Sequence, residues 1–137
     1  MEEMKELVGM GWDIGVNGCS LKTEENLSVV KEVPLGRLQI ETDGPWCEVR
    51  ASHASSEYLV DFKELGEKAG QWKWVKKEKW EESALVKGRN ESALIPKVAW
   101  VIAKVKGVSL EVVCEAAWAN SVRMFGLGEG VEVEARN

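Results

Sequence analysis

Asp43 and Glu41 are carboxylates placed for chemistry, because they close the run Leu38-Gln39-Ile40-Glu41-Thr42-Asp43-Gly44-Pro45-Trp46. Leu38 and Ile40 alternate with polar neighbours, which reads as a half-buried strand over residues 38–42, and Gly44-Pro45 cannot continue it. Asp43 is therefore expected at the strand's C-terminal mouth, where α/β folds bind ligands and metals. Glu41, on the same face, would join it in coordinating a hard cation or activating water. The plainer alternative is that Asp43 accepts backbone hydrogen bonds from the following turn.

His53 is the sole histidine and lies in a polar loop between Ser52 and Ser55. One imidazole cannot build the His-rich set of most transition-metal sites, so a solvated loop residue is expected. No GxSxG-like turn presents a serine nucleophile. At Gly88-Arg89-Asn90-Glu91 the guanidinium could grip a phosphate while Asn90 and Glu91 order the loop, or the segment is an ordinary charged approach to a helix. Trp72, Lys73, Trp74 and Lys76 interleave rings with cations, a pattern that stacks and neutralises single-stranded nucleic acid. Against that stands a structural reading in which Trp72 or Trp80 anchors a surface insertion and the lysines are solvated. Cys19, Cys47 and Cys114 are an odd number without a CxxC pair, so packing in a reducing compartment is expected, not a disulfide framework or a zinc knuckle.

The elements that must position these groups follow from periodicity. Met4, Leu7 and Val8 repeat at helical spacing and stop at Gly9 and Gly11. Residues 12–16 are β-prone, Thr23 can cap a helix whose stripe is Leu27, Val30 and Val33, and Pro34 ends it. Strand, helix and strand in that order predict one parallel βαβ crossover. Residues 46–92 read as a long polar loop or insertion, with helical hints only at 58–65. Pro96 then opens a helix with Val98, Ile102 and Val105 on one face, stopped by Gly107. Ser109 caps a final helix whose face runs through Val113, Ala116, Ala117, Asn120 and Met124, and residues 128–137 are expected to form a flexible acidic tail.

A chain of 137 residues with net charge −5 and a pI near 5.1 holds one domain or part of one. That charge argues against nucleic-acid binding by global electrostatics and leaves local phosphate contacts open. The opening Met1-Glu2-Glu3-Met4-Lys5-Glu6 is acidic where a signal peptide would be basic, and no apolar run reaches membrane-spanning length, so an intracellular protein, cytoplasmic or nuclear, is expected. Two strands with flanking helices do not make an independent parallel sheet. An incomplete domain of marginal stability is expected, with aggregation-prone strand edges.

Three segments in order, Ile14-Gly15-Val16-Asn17-Gly18-Cys19-Ser20-Leu21-Lys22-Thr23, Glu41-Thr42-Asp43-Gly44-Pro45-Trp46 and Lys87-Gly88-Arg89-Asn90-Glu91, resemble the C-terminal part of TatD-type metal-dependent deoxyribonucleases. Ala117-Trp118-Ala119-Asn120-Ser121 and Met124-Phe125-Gly126-Leu127 extend the similarity, which covers residues 1–127. The resemblance implies an α/β fold, the C-terminal part of a TIM-like (β/α)8 barrel of amidohydrolase type, whose complete form runs to about 250 residues. It also implies divalent metal ions, Mg or similar, that activate water to hydrolyse phosphodiesters at DNA 3′ ends.

Asp43 matches the family's metal-ligating aspartate, and Arg89, Asn90, Glu91 and His53 match rim positions that support the site. The family's HxH pair, mid-barrel glutamate and two further histidines would precede this segment. Ser92 and Ala51 stand where the family usually has proline. The chain alone is therefore expected to lack nuclease activity. The alternative is a non-catalytic truncated product, or a fragment that complements or binds another chain; a third is a nucleic-acid-binding module built on the Trp and Lys stretch.

Overall fold

The computed structural model describes residues 1–62 and 72–127. Helix α1, Glu2–Gly9, precedes strand β1, Ile14–Val16. Helix α2, Glu24–Glu32, begins where the Thr23 hydroxyl accepts the Asn26 N–H, and Glu24 and Glu25 face the positive end of its dipole. Strand β2, Leu38–Ile40, pairs parallel to β1 in the register Ile14 to Leu38 and Val16 to Ile40. The expected βαβ crossover is thus present, and its second strand is shorter than the expected 38–42.

The described residues of the segment 46–92 hold more order than the fading periodicity implied. A 3-10 helix spans Ala54–Leu59, and strands β3, Lys73–Val75, and β4, Ala84–Val86, form a second parallel pair. Lys73-Trp74-Val75 and Ala84-Leu85-Val86 lack the apolar and polar alternation of Leu38-Gln39-Ile40, so they carry no periodic signal of a strand. Part of the helical hint at 58–65 falls outside the described residues, as does the expected tail at 128–137.

Helix α3, Ile95–Lys106, carries Pro96 in its first turn and ends at Gly107, whose φ of 68° is the left-handed cap that glycine supplies. Its Val98, Ala99, Val101, Ile102 and Ala103 are buried. Helix α4, Leu110–Phe125, is capped by Ser109 accepting the Val112 N–H. Val113 and Asn120 are its buried positions, whereas Met124, expected on the same face, is 49% exposed.

One core joins Val16 and Leu38 of the first strand pair to Leu27 and Val30 of α2, Val101 and Ile102 of α3 and Val113 of α4. Burying each Leu or Ile contributes about 1.5–3 kcal/mol. The Lys106 ammonium donates to the carbonyls of Lys31 and Val33, which closes the C-terminus of α2. Among the described residues no helix is long and apolar enough to cross a membrane.

Candidate functional site at the mouth of the first strand pair

β2 ends at Ile40, the Glu41 N–H still donates to the Val16 carbonyl of β1 at 3.1 Å, and the chain then turns at Asp43. Glu41 accepts a hydrogen bond from the Asn17 amide at 3.0 Å and lies over Gly15 of β1. Thr42 is buried, and Asp43 adopts a φ of 54°, a conformation that aspartate tolerates better than most side chains. Its main-chain carbonyl accepts the Trp46 N–H at 2.9 Å, closing the turn. The Asp43 carboxylate, exposed to solvent, accepts a hydrogen bond from the Cys47 thiol at 3.1 Å. The turn itself is closed by the main chain, and the Asp43 side chain at the mouth is engaged by the Cys47 thiol.

The Arg89-Asn90-Glu91 loop is clamped onto this turn. Asn90 is 5% exposed, its amide donates to the Thr42 carbonyl at 2.7 Å, and its backbone N–H donates to the Pro45 carbonyl at 3.0 Å. The approach is close enough that a Cβ on Gly44 would lie 3.0 Å from the Asn90 carbonyl oxygen. Glu91 donates its N–H to the Asn90 side chain at 3.2 Å, while the Arg89 side chain points outward, exposed. Beside the clamp is a cavity of about 600 Å³ lined by Pro45, Lys77, Trp80, Arg89 and Glu91.

His53 is not solvated, as its polar neighbours suggested, but 8% exposed. Its Nδ1 accepts the Arg50 N–H at 3.4 Å. Burial, with the positive charges of Lys22 and Arg50 nearby, holds its pKa below the usual imidazole value. The imidazole orders the loop that follows the Asp43 turn.

Within the Trp and Lys stretch, Trp72 is the ring that packs against the fold, and Lys73 is ion-paired where solvated lysines were expected. The Trp72 ring packs 5.0 Å from Phe62, which in turn packs 5.7 Å from Trp100. Lys73 pairs with Glu81. Trp74 is half-buried and lines a second cavity with Trp72 and Phe62, Lys76 is exposed, and Trp80 is 60% exposed.

Packing was the expectation for all three cysteines, and it fails for Cys19 and Cys114, which are exposed. The Cys19 and Cys47 sulfurs stand 2.8 Å apart. Burial, the Cys19 contact and the Asp43 carboxylate act together on Cys47, the Cys19 contact most strongly, and push its thiol up to about 12. Sequence separation hid this pair, since Cys19 and Cys47 follow different strands and meet through the register of β1 with β2.

A second polar network lies at the opposite ends of the strands. Asp13 accepts hydrogen bonds from Gln39 at 2.8 Å and from Arg123 at 2.9 Å. Burial raises its pKa, but the bonds from Gln39 and Arg37 and the charge of Arg123 outweigh this and hold the carboxyl below its ordinary value. Asn120 donates from one amide to the carbonyls of Leu35 and Leu38, at 2.7 and 2.8 Å, which fastens α4 to the entry of β2.

Hard divalent cations require several oxygen ligands. Among the described residues no group of three or more His, Cys, Asp and Glu side chains is placed to hold a metal ion. Asp43 offers one carboxylate and Glu41 is engaged by Asn17, so the residues present do not by themselves fit a metal centre.

The family model for TatD related DNase matches residues 1–126. The chain is 46% identical over 120 residues to "Deoxyribonuclease Tat-D" of Saccharomyces cerevisiae, covering 82% of this chain and 29% of that protein. It is 42% identical over 125 residues to "Deoxyribonuclease Tat-D" of Schizosaccharomyces pombe, covering 91% and 38%. Among solved structures, an uncharacterized amidohydrolase from Saccharomyces cerevisiae superposes with a TM-score of 0.74 at 45% identity, covering 82% of this chain and 33% of that one. A hydrolase TatD family protein from Entamoeba histolytica superposes with a TM-score of 0.75 at 37% identity, covering 90% and 38%.

The α/β architecture is thus part of a TIM-like hydrolase barrel, and the chain spans about a third of the length of the relatives it matches. With its strand pair, its Asp43 turn and its Asn90 clamp in the order that the family model spans, the chain belongs to the TatD related DNase family.

Proposed function

We propose that this chain supplies one side of the active-site mouth of a TatD-type deoxyribonuclease, with Asp43 as one ligand of a divalent metal, Mg²⁺ or similar. The substrate in this reading is DNA, trimmed from its 3′ end by hydrolysis of phosphodiesters. The observation that carries the reading is the Asn90 clamp, because the Arg89-Asn90-Glu91 loop and the Asp43 turn, distant in sequence, are locked together by hydrogen bonds of 2.7 and 3.0 Å. In that arrangement Asn90 fixes the turn that presents Asp43, Arg89 faces outward where a phosphate would approach, and His53 stiffens the following loop. The odd cysteine count favours a reducing location, cytoplasmic or nuclear.

One carboxylate cannot retain a catalytic metal, since such sites need several protein ligands and ordered supporting partners. The 137-residue chain by itself is therefore inactive in this reading. The test is release of nucleotides from 3′-labelled single-stranded DNA by purified chain with Mg²⁺, Mn²⁺ or Zn²⁺. No release above buffer is expected, and metal-dependent release that co-purifies with the chain refutes inactivity.

A second reading, a fragment that works by complementing another chain, draws on the exposure of large apolar side chains. Met10 is 73% exposed, Trp12 63%, Trp118 68% and Phe125 67%. Among the described residues both parallel pairs also have unpaired edges. Mixing the chain with a polypeptide that supplies the remaining barrel strands and their histidines should then restore activity, and failure to associate with it removes this reading.

A further inference from the structure

We propose that Cys19 and Cys47 form a reversible dithiol and disulfide site, oxidised by low-molecular-weight disulfides, that joins the turn after β1 to the turn after β2. The two sulfurs stand 2.8 Å apart, and an S–S bond of about 2.05 Å needs only a sub-ångström approach. A metal held by both thiolates at about 2.3 Å in tetrahedral geometry would keep the sulfurs about 3.8 Å apart. The spacing therefore favours a bond between the sulfurs over a shared metal.

The backbone holds both sulfurs before any reaction. The Asn17 side chain accepts the N–H groups of Cys19 and Ser20, at 2.9 and 3.3 Å, which fixes the turn carrying Cys19. Cys47 has a φ of 53° and follows the turn closed between Asp43 and Trp46. The two turns touch at Gly18, where a Cβ would lie 1.8 Å from the Cys47 carbonyl oxygen. Any side chain at position 18 would force them apart, so glycine there is what lets the thiols meet.

Exposed Cys19 meets the reagent and half-buried Cys47 completes the exchange. In the first step the Cys19 sulfur attacks one sulfur of RS–SR, a Cys19 S–SR bond forms as the RS–SR bond breaks, and one RSH leaves with the Cys19 proton. In the second the Cys47 sulfur attacks Cys19, the mixed disulfide breaks, and a second RSH leaves with the Cys47 proton. The protein has lost two electrons and two protons, and RS–SR has become two thiols. The product lacks the thiol hydrogen that Asp43 accepts at 3.1 Å, so the state of the pair sets the hydrogen bonding of the carboxylate at the strand mouth.

The test equilibrates the intact 137-residue protein with mixtures of reduced and oxidised glutathione, alkylates the remaining thiols and reads mass and peptide map. Under oxidising mixtures a cross-linked peptide containing Cys19 and Cys47 is expected, with exposed Cys114 either alkylated or carrying glutathione; reduction restores all three sites to alkylation. Cys47→Ser should accumulate glutathione on Cys19, since no second thiol displaces it. Closure should be at least about 100-fold slower in strong urea, where the turns no longer hold the pair together. A stable glutathione adduct on Cys19 of the parent with Cys47 still alkylated overturns the proposal, and so does closure in urea as fast as in buffer. Both decisive readings use the parent chain, so they stand whether or not the variant folds.

Discussion

Replacing Asn90 with alanine removes the amide donated to the Thr42 carbonyl at 2.7 Å and the acceptor used by Glu91 N–H at 3.2 Å. Asn90 and Thr42 are 5% and 8% exposed, so water cannot easily take the vacated places. An orphaned buried carbonyl costs about 1–3 kcal/mol and the second bond adds about 1, for a loss near 3 kcal/mol. With a urea m-value of about 1.5–2 kcal/mol/M, the unfolding midpoint should fall by about 1.5–2 M.

Asn90→Asp sharpens the test, because it keeps the shape and turns a carboxylate toward the Thr42 carbonyl. Its penalty at neutral pH should exceed that of Asn90→Ala. That carboxyl's folded pKa lies above its unfolded value of about 3.9, so the lost stability returns below that value and disappears again as pH rises through the folded pKa. The assay is urea titration followed by tryptophan fluorescence at neutral pH and near pH 4, with exposed Glu115→Ala as a control expected within about 0.5 kcal/mol of the parent. A variant already unfolded without urea is titrated with trimethylamine N-oxide instead. If both Asn90 variants share the parent's midpoint at neutral pH, the clamp is not what holds the Asp43 turn.

His53 has a lowered pKa, so its neutral form stabilises the fold above about pH 6.5 and that contribution is lost as pH falls through the folded value. The midpoint should decline with acidification from about pH 6.5, and His53→Gln should flatten that slope; an unchanged slope counts against a buried neutral imidazole. Asn120→Ala should cost about 2–4 kcal/mol, because two carbonyls lose their donor, whereas Arg123→Gln, half-exposed, should cost under about 1 kcal/mol. Equal losses in urea titration would contradict this ordering. Trp72→Ala should lower stability by about 2–3 kcal/mol through the lost Phe62 packing, and Trp80→Ala by less than about 0.5. Single-stranded DNA binding that survives alanine at 72, 74 and 80 together removes the nucleic-acid-module reading.

The helices were legible because their signals are local. Thr23, Pro96, Gly107 and Ser109 act on backbone within a turn of themselves, and each is found at the cap or first turn that its chemistry predicts. The βαβ order was legible for the same reason, since alternation in Leu38 and Ile40 needs only a strand's own geometry. β3 and β4 were not, because Lys73-Trp74-Val75 and Ala84-Leu85-Val86 do not alternate and their pairing joins two segments about ten residues apart. His53 misled because its neighbours are polar, while the groups that bury it come from other parts of the chain.

By itself the sequence determined the residue types at the mouth, an aspartate before Gly44-Pro45 and an Arg-Asn-Glu loop, together with the family they resemble. Pairing was decided by the tertiary structure. Asn90 reaches Thr42 across 48 positions, Asn120 reaches Leu38 across 82, and Cys19 reaches Cys47 across 28. Such contacts depend on strand register and helix docking, which are set by burial of the common core and leave no mark in local spacing.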